Sequence, residues 1–241
     1  MEPDAFYDDL AADYHLIFED WERSIDRQAE VLTSLLRDAQ TVLDAACGIG
    51  TQALGLARAG FAVTASDLSP GAVARCSREA AARRLPVRTA VADLRTLDLG
   101  RFDAVVCMDN ALPHLLTDDD LAAACASLHR SLVPGGVLLA STRDYDAAPT
   151  GEPARRFADR TIEQIWEWED DERYILRHRI VRDGQVAERR TRYRALRRAM
   201  LTAALRAAGF TDVDWPATGF PQPVVTARTS SRATAIWRTR R

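Results

Sequence analysis

Thr41-Val-Leu-Asp-Ala-Ala-Cys-Gly-Ile-Gly-Thr51 decides the fold of this chain. A short apolar run stops at a glycine-rich turn and restarts as a helical pattern ending at Gly60. Strand, tight loop and helix in that order open a nucleotide-binding α/β unit. Gly48 and Gly50 carry no Cβ, so the backbone there can turn sharply and approach a ligand closely. The next apolar run, Phe61-Ala-Val-Thr-Ala-Ser, ends in Asp67, placed to accept hydrogen bonds from the two hydroxyls of a ribose. Thr51, Gln52 and Ala53 stand where a dinucleotide fingerprint would put its third glycine, and the chain contains no lysine, which excludes a P-loop.

Outward from this loop the same rhythm repeats. Strands are expected near 41–46, 62–67, 87–92, 102–108 and 137–143, with helices near 51–59, 69–84 and 118–132 between them. Ser69-Pro70 starts the second of these helices, Gly60 stops the first, and Pro134-Gly-Gly136 breaks the chain before the fifth strand. The pattern specifies an α/β fold: a Rossmann-like, seven-stranded, mostly parallel sheet with helices on both faces and a ligand site at the C-terminal strand ends. Residues 1–40 read as a helical N-terminal extension rich in aromatic and acidic positions, and 41–144 as the cofactor-binding core. Residues 145–195 read as an antiparallel insertion after the fifth strand, built from Ile162–Trp168 and from Tyr174–Tyr193 folded about the Asp183-Gly184 turn. Residues 196–241 complete the sheet: a helix over Ala199–Ala208, a sixth strand over Thr211–Trp215, and a seventh at either Val224–Ala227 or Ala233–Trp237.

The bulk properties narrow the function. With 32 basic residues against 35 acidic ones the net charge is −3, so no global basic field argues for nucleic acid. Without lysine, Schiff-base and lysine-base mechanisms are excluded. Cys47, Cys76, Cys107 and Cys125 are widely spaced in apolar segments with no C-x-x-C, as expected of reduced, buried thiols rather than disulfides or a zinc site. No window is long and apolar enough for a membrane span, and the expected location is cytoplasmic. The expected partner is a small-molecule acceptor, with no nucleic acid, no membrane and self-association left open.

Asp44, both glycines and the correctly spaced Asp67 resemble the class I S-adenosylmethionine-dependent methyltransferases. By that resemblance the loop touches the methionine half of S-adenosylmethionine, Asp67 holds its ribose, and Asp93, in Thr89-Ala-Val-Ala-Asp-Leu94, lies against the adenine amino group. Read by itself, Asp93 is a helix-cap or turn aspartate. Asp44 is expected to order the loop through backbone amides. The rims narrow the resemblance further. Met108-Asp-Asn-Ala-Leu-Pro-His-Leu115 and Arg143-Asp-Tyr-Asp146 are similar to segments of the glycine and sarcosine N-methyltransferases and their small-molecule relatives, although Asp109 replaces a glycine and Leu112-Pro113 an aromatic-alanine pair.

The resemblance implies a catalytic set of Asn110, Arg143, Tyr145 and Tyr14. Asn110 and Arg143 would grip an amino-acid carboxylate, a natural task for a planar guanidinium, and Tyr145 would shape the pocket. Read by itself, Arg143 is a surface arginine paired with Asp144 or Asp146. The implied cofactor set is Asp44, Ala46, Gly48, Gly50, Asp67, Leu68, Asp93, Leu94, Met108, Trp21 and Arg27, with Tyr14 and Trp21 in a lid and Arg27 against the cofactor's carboxylate. No metal is implied. His114 is read as structural, and Trp166, Trp168 and Tyr174 as the insertion's core. The expected reaction is methylation of a small amine bearing a carboxylate. O- or C-methylation of a natural-product or keto-acid intermediate, and cofactor binding with chemistry other than methyl transfer, stand as alternatives.

Overall fold

Residues 3–147 and 154–231 are described by a computed structural model. Two helices, α1 (Pro3–Leu10) and α2 (Trp21–Leu35), lead into the alternating core: β1 (Thr41–Ala45), α3 (Thr51–Arg58), β2 (Ala62–Asp67), α4 (Pro70–Ala82), β3 (Arg88–Val91), β4 (Phe102–Cys107), α5 (Asp118–Arg130) and β5 (Leu132–Ser141). Four antiparallel strands form a separate sheet: β6 (Arg155–Arg156), β7 (Thr161–Trp168), β8 (Arg173–Arg182) and β9 (Gln185–Arg194). The chain then returns through α6 (Arg198–Ala207), β10 (Thr211–Asp214) and β11 (Val224–Arg228) to finish the main sheet.

The seven-stranded order is β10-β11-β5-β4-β1-β2-β3, with β11 antiparallel to β5 and to β10 and the remaining pairings parallel. Successive side chains point to opposite faces, and here both faces are buried. Val42, Ala104, Val106 and Leu139 pack with Leu32, Leu56 and Cys76 of α2, α3 and α4. Leu43, Val105, Cys107 and Leu138 pack with Leu121, Leu128, Leu201 and Leu205 of α5 and α6. The order of strands reverses at β1 and β4, and the crevice above that switch point is where such sheets bind ligands.

The helix starts follow from local chemistry. Ser69 caps α4 by accepting from the Ala72 amide, with Pro70 in the first turn, and Asp20 caps α2 through the Arg23 amide. All four cysteines are buried and none is in a disulfide.

One expectation is corrected, and of two alternatives for the seventh strand one is observed. Pro134-Gly135-Gly136 lies inside β5 rather than before it: Leu132 already pairs with Phe102, and the register shifts before Val137 meets Ala104. Gly135, at φ 81°, permits that bulge. The seventh strand is Val224–Arg228, while Ala233–Trp237 lies outside the described residues.

The small sheet and the N-terminal extension share a core. Phe6 and Leu10 of α1 pack on Ile162 and Ile180, and Arg189 of β9 donates to Asp9 at 2.8 Å and Asp13 at 3.0 Å. Together they roof the C-terminal edge of the main sheet. Among the described residues no helix is long and apolar enough to cross a membrane.

Candidate active site

At the end of β1 the backbone takes left-handed conformations at Ala46 (φ 67°), Gly48 (53°) and Gly50 (99°). The two glycines serve different ends. A Cβ at Gly48 would meet nothing within 4 Å, because Gly48 opens onto a cavity; a Cβ at Gly50 would lie 2.7 Å from the Cys76 sulfur. Gly50 therefore lets α3 pack on α4, and it lines neither of the two cavities described below.

Asp67 ties the loop to the start of α4. One carboxylate oxygen of Asp67 accepts the Gly48 amide at 2.8 Å and the other the Ser69 amide at 2.9 Å. Burial raises its pKa while these amides pull it back. Asp44 is fully buried below, where the Ala53 amide at the start of α3 favours its charged form. Its pKa is pushed up to about 8 by burial first, then by the charges of Asp109 and Asp67.

A cavity of about 710 Å³ lies above this loop, inside the roughly 300–1,000 Å³ range of small-molecule sites. Ala46, Gly48, Asp67, Leu68, Asp93, Leu94 and Met108 all line it. Asp93 also caps the turn that follows by accepting the Arg95 amide at 2.9 Å, and it pairs with the Arg95 guanidinium at 2.7 Å, which lowers its pKa. Trp21 is not at this cavity. Its indole donates to the Thr51 hydroxyl at 2.9 Å, pinning the start of α2 to α3, and Arg75 and Arg83 lie over its ring.

A second cavity of about 350 Å³ lies between the roof and the ends of β4 and β5. Arg143 reaches it and is not the surface residue of the alternative reading; Asp144 pairs with Arg198 at 2.9 Å instead. The Arg143 guanidinium sits 5.1 Å from the Trp166 ring and 5.2 Å from that of Tyr193, and donates to the Tyr174 hydroxyl at 3.0 Å and to Gln164 at 2.8 Å. Such contacts hold a planar cation in one orientation. Arg27 lines this smaller cavity rather than the larger one.

Asn110 and Tyr145 stand one layer behind, lining neither cavity. The Asn110 side-chain oxygen accepts the Arg143 amide at 2.9 Å and the Tyr145 hydroxyl at 3.1 Å, and the Tyr145 hydroxyl meets that of Tyr174 at 2.9 Å. They fix the β5 rim beneath Arg143.

Three residues line both cavities: Tyr7, Tyr14 and Asp109. The Tyr7 hydroxyl joins His114 Nε2 at 3.0 Å and the Tyr193 hydroxyl at 3.2 Å, linking α1, the segment after β4, and β9. Burial drives His114 down to about 3, with Arg143 adding to the shift, so its ring is neutral and structural in the physiological range. Asp109 and Asn110 both have left-handed backbones, at φ 54° and 69°, a strain on the order of 1 kcal/mol each. The Asp109 amide is fixed at 2.8 Å to the Ser141 hydroxyl. Its carboxylate accepts from Gln52 Nε2 at 2.7 Å, and that same nitrogen donates to Gln28 at 2.7 Å. Gln28, Gln52, Gln164 and Tyr193 escaped sequence reasoning. Only Gln52 left a signal, in the first turn of the helix behind the glycine loop.

The strand order, the glycine loop over the switch point and Asp67 at the end of β2 define a cofactor-binding core of one class, and comparison with known proteins agrees. Residues 42–136 match the family profile described as a methyltransferase domain. The chain is 35% identical over 142 residues to the glycine/sarcosine N-methyltransferase of Parasynechococcus marenigrum (strain WH8102), covering 57% of this chain and 50% of that one. It is 36% identical over 121 residues to the dTDP-4-amino-2,3,4,6-tetradeoxy-D-glucose N,N-dimethyltransferase of Saccharopolyspora spinosa, covering 49% and 46%. The chain thus spans about half the length of these curated relatives. The structure of SAM-bound CalS10, an amino pentose methyltransferase from Micromonospora echinaspora, superposes with a TM-score of 0.71 at 25% identity over 91% of this chain and 95% of that one. Residues 42–136 thus match a methyltransferase domain, and the chain is similar in sequence and fold to S-adenosylmethionine-dependent methyltransferases.

Proposed function

We propose that this protein transfers a methyl group from S-adenosylmethionine to the nitrogen of a small acceptor that carries a carboxylate. The observation that carries the reading is the joining of two unlike cavities at Tyr7, Tyr14 and Asp109: one floored by the glycine loop and Asp67, the other faced by Arg143. The residues of the larger cavity fit the cofactor. Gly48 leaves open space where a Cβ would stand, and the Asp67 carboxylate, whose backbone donors occupy only part of its capacity, can still accept from ribose hydroxyls. Leu68, Leu94 and Met108 supply the apolar walls an adenosine requires.

When bound, the cofactor supplies an electrophilic methyl on a sulfonium. The protein then has to align an acceptor with that methyl and keep water out. Arg143 is the fixed cation for the acceptor's carboxylate, and Arg27 and Arg155 line the same cavity and favour an anionic group there. The small relatives named above act on glycine or sarcosine and on amino sugars, and the arginine-faced cavity favours the amino-acid side of that range.

The test is incubation with S-adenosylmethionine and a panel of small amino acids, amino sugars and keto acids, read by mass spectrometry. A gain of one methyl on an amino acid is the expected result. A gain on keto acids alone, or loss of cofactor with no methylated product, overturns it.

A further inference from the structure

The residue at the junction of the two cavities has chemistry of its own. Asp109 is half-buried while its neighbours Met108 and Asn110 are 2% and 1% exposed, because the cavities, not bulk solvent, supply its accessible surface. It is held there at some cost. Two successive left-handed residues and the Ser141 contact turn the chain so that this side chain reaches the junction. Gln52 of the larger cavity holds the carboxylate, and Gln28 of the smaller one holds Gln52. A carboxylate in a desolvated cavity favours a cationic guest, and the donor that holds it there, Gln52, is neutral.

We propose that Asp109 binds the ammonium of the acceptor and takes its proton, so that the smaller cavity selects zwitterions: small amino acids with nitrogen at Asp109 and carboxylate at Arg143. This rests on the assignment of the larger cavity to S-adenosylmethionine. The amine must be neutral before it can react. A proton passes from R–NH3+ to the Asp109 carboxylate, leaving R–NH2 and a carboxylic acid. The nitrogen lone pair then forms the N–CH3 bond as the methyl–sulfur bond breaks and its electron pair stays on sulfur. The product leaves as R–NH2+–CH3, and the proton on Asp109 passes to solvent. Charge is conserved at each step, and no other reactant is required.

The surroundings suit this role. Burial raises the Asp109 pKa, and the Gln52 hydrogen bond and the Arg143 charge pull it back, which makes it a stronger base than an exposed carboxylate while leaving it able to ionise. The groups facing it are Asp44 from β1, Tyr14 from the extension, Arg27 from α2, Arg143 from the end of β5, and Arg155 and His178 from the small sheet. Asp44 and Tyr14 are held toward their neutral forms by burial and by the Asp109 charge, and His178 is driven down to about 4 and is neutral. Arg143 is left as the charged partner that acts on Asp109 directly.

The experiment is calorimetry on the complex with S-adenosylhomocysteine. The probes are glycine, sarcosine and alanine, the acids acetate and propionate, and the amines methylamine and ethylamine. The amino acids should bind at least roughly tenfold more tightly than either matched series, a preference that rises with pH as Asp109 ionises. Asp109→Asn, which keeps the shape of the side chain, should abolish the preference over the acids and its pH dependence while leaving S-adenosylhomocysteine affinity within about threefold. Gln52→Ala, which leaves the carboxylate in place but unanchored, should give a smaller loss. Equal binding of acids and amino acids, a preference that survives in Asp109→Asn, or no binding by any probe overturns the proposal. Failure of S-adenosylhomocysteine itself to bind would instead overturn the cofactor assignment.

Discussion

The two cavities are built on different principles. The walls of the larger one come mostly from consecutive elements of a single α/β unit: the loop after β1, the end of β2, the turn after β3 and the end of β4. The smaller is assembled from residues far apart in the chain, with Arg27 and Gln28 from α2, Asp109 after β4, Arg143 after β5, and Gln164, His178 and Tyr193 from the small sheet. A site of the first kind depends on local backbone geometry, whereas one of the second kind depends on packing between separate layers. The cofactor side is therefore expected to respond to changes in the loop, and the acceptor side to changes in the roof.

Removing Arg143 should have the largest effect. Arg143→Ala should cut kcat/KM for the acceptor by roughly 100-fold, about 3 kcal/mol, while the dissociation constant of S-adenosylmethionine stays within about twofold. Equal losses on both sides would mean that the cavities are one unit. Asp67→Ala should do the reverse. Losing both the ribose acceptor and the tie to Gly48 should weaken cofactor binding by roughly 30-fold, about 2 kcal/mol, in calorimetry.

Glycine substitutions sharpen the comparison within one loop. Gly50→Ala drives a methyl into the Cys76 sulfur at a left-handed position and should destabilise the protein by about 2 kcal/mol in denaturant unfolding. Gly48→Ala meets no atom within 4 Å and should cost only about 1 kcal/mol of stability, its main effect falling on cofactor affinity. A reversed order would show that the loop's packing has been misassigned.

The last effect is one of pH and concerns Asp44. Its folded pKa, about 8, lies above the usual carboxylate value, so the protonated form is favoured in the fold. That contribution is complete below about pH 4 and is lost as pH rises toward 8. Asp44→Asn, which cannot ionise, should gain on the wild type as pH rises from 5 to 8 in thermal unfolding, by on the order of 3 kcal/mol. A pH-independent difference between the two would remove Asp44 from this account.

The cofactor half was legible because its determinants are short-range. Short apolar runs, a glycine pair and an aspartate at the next strand end lie within a few dozen residues and act through the backbone they sit on. Asn110 and Tyr145 were placed by motif, but nothing local reveals that the β5 rim and Tyr174 would engage them. The same holds for Gln28 and Gln52, two ordinary helix residues until α2 lies against α3. Asp109 was visible as a departure from the related sequences. Its position between two cavities became apparent only once the roof was in place.

Tyr7 and Tyr14 stand in the walls of both cavities, and Tyr7 is tied by its hydroxyl to His114 and Tyr193. The two chambers therefore share a partition, and a substitution at either tyrosine reshapes both at once rather than one alone.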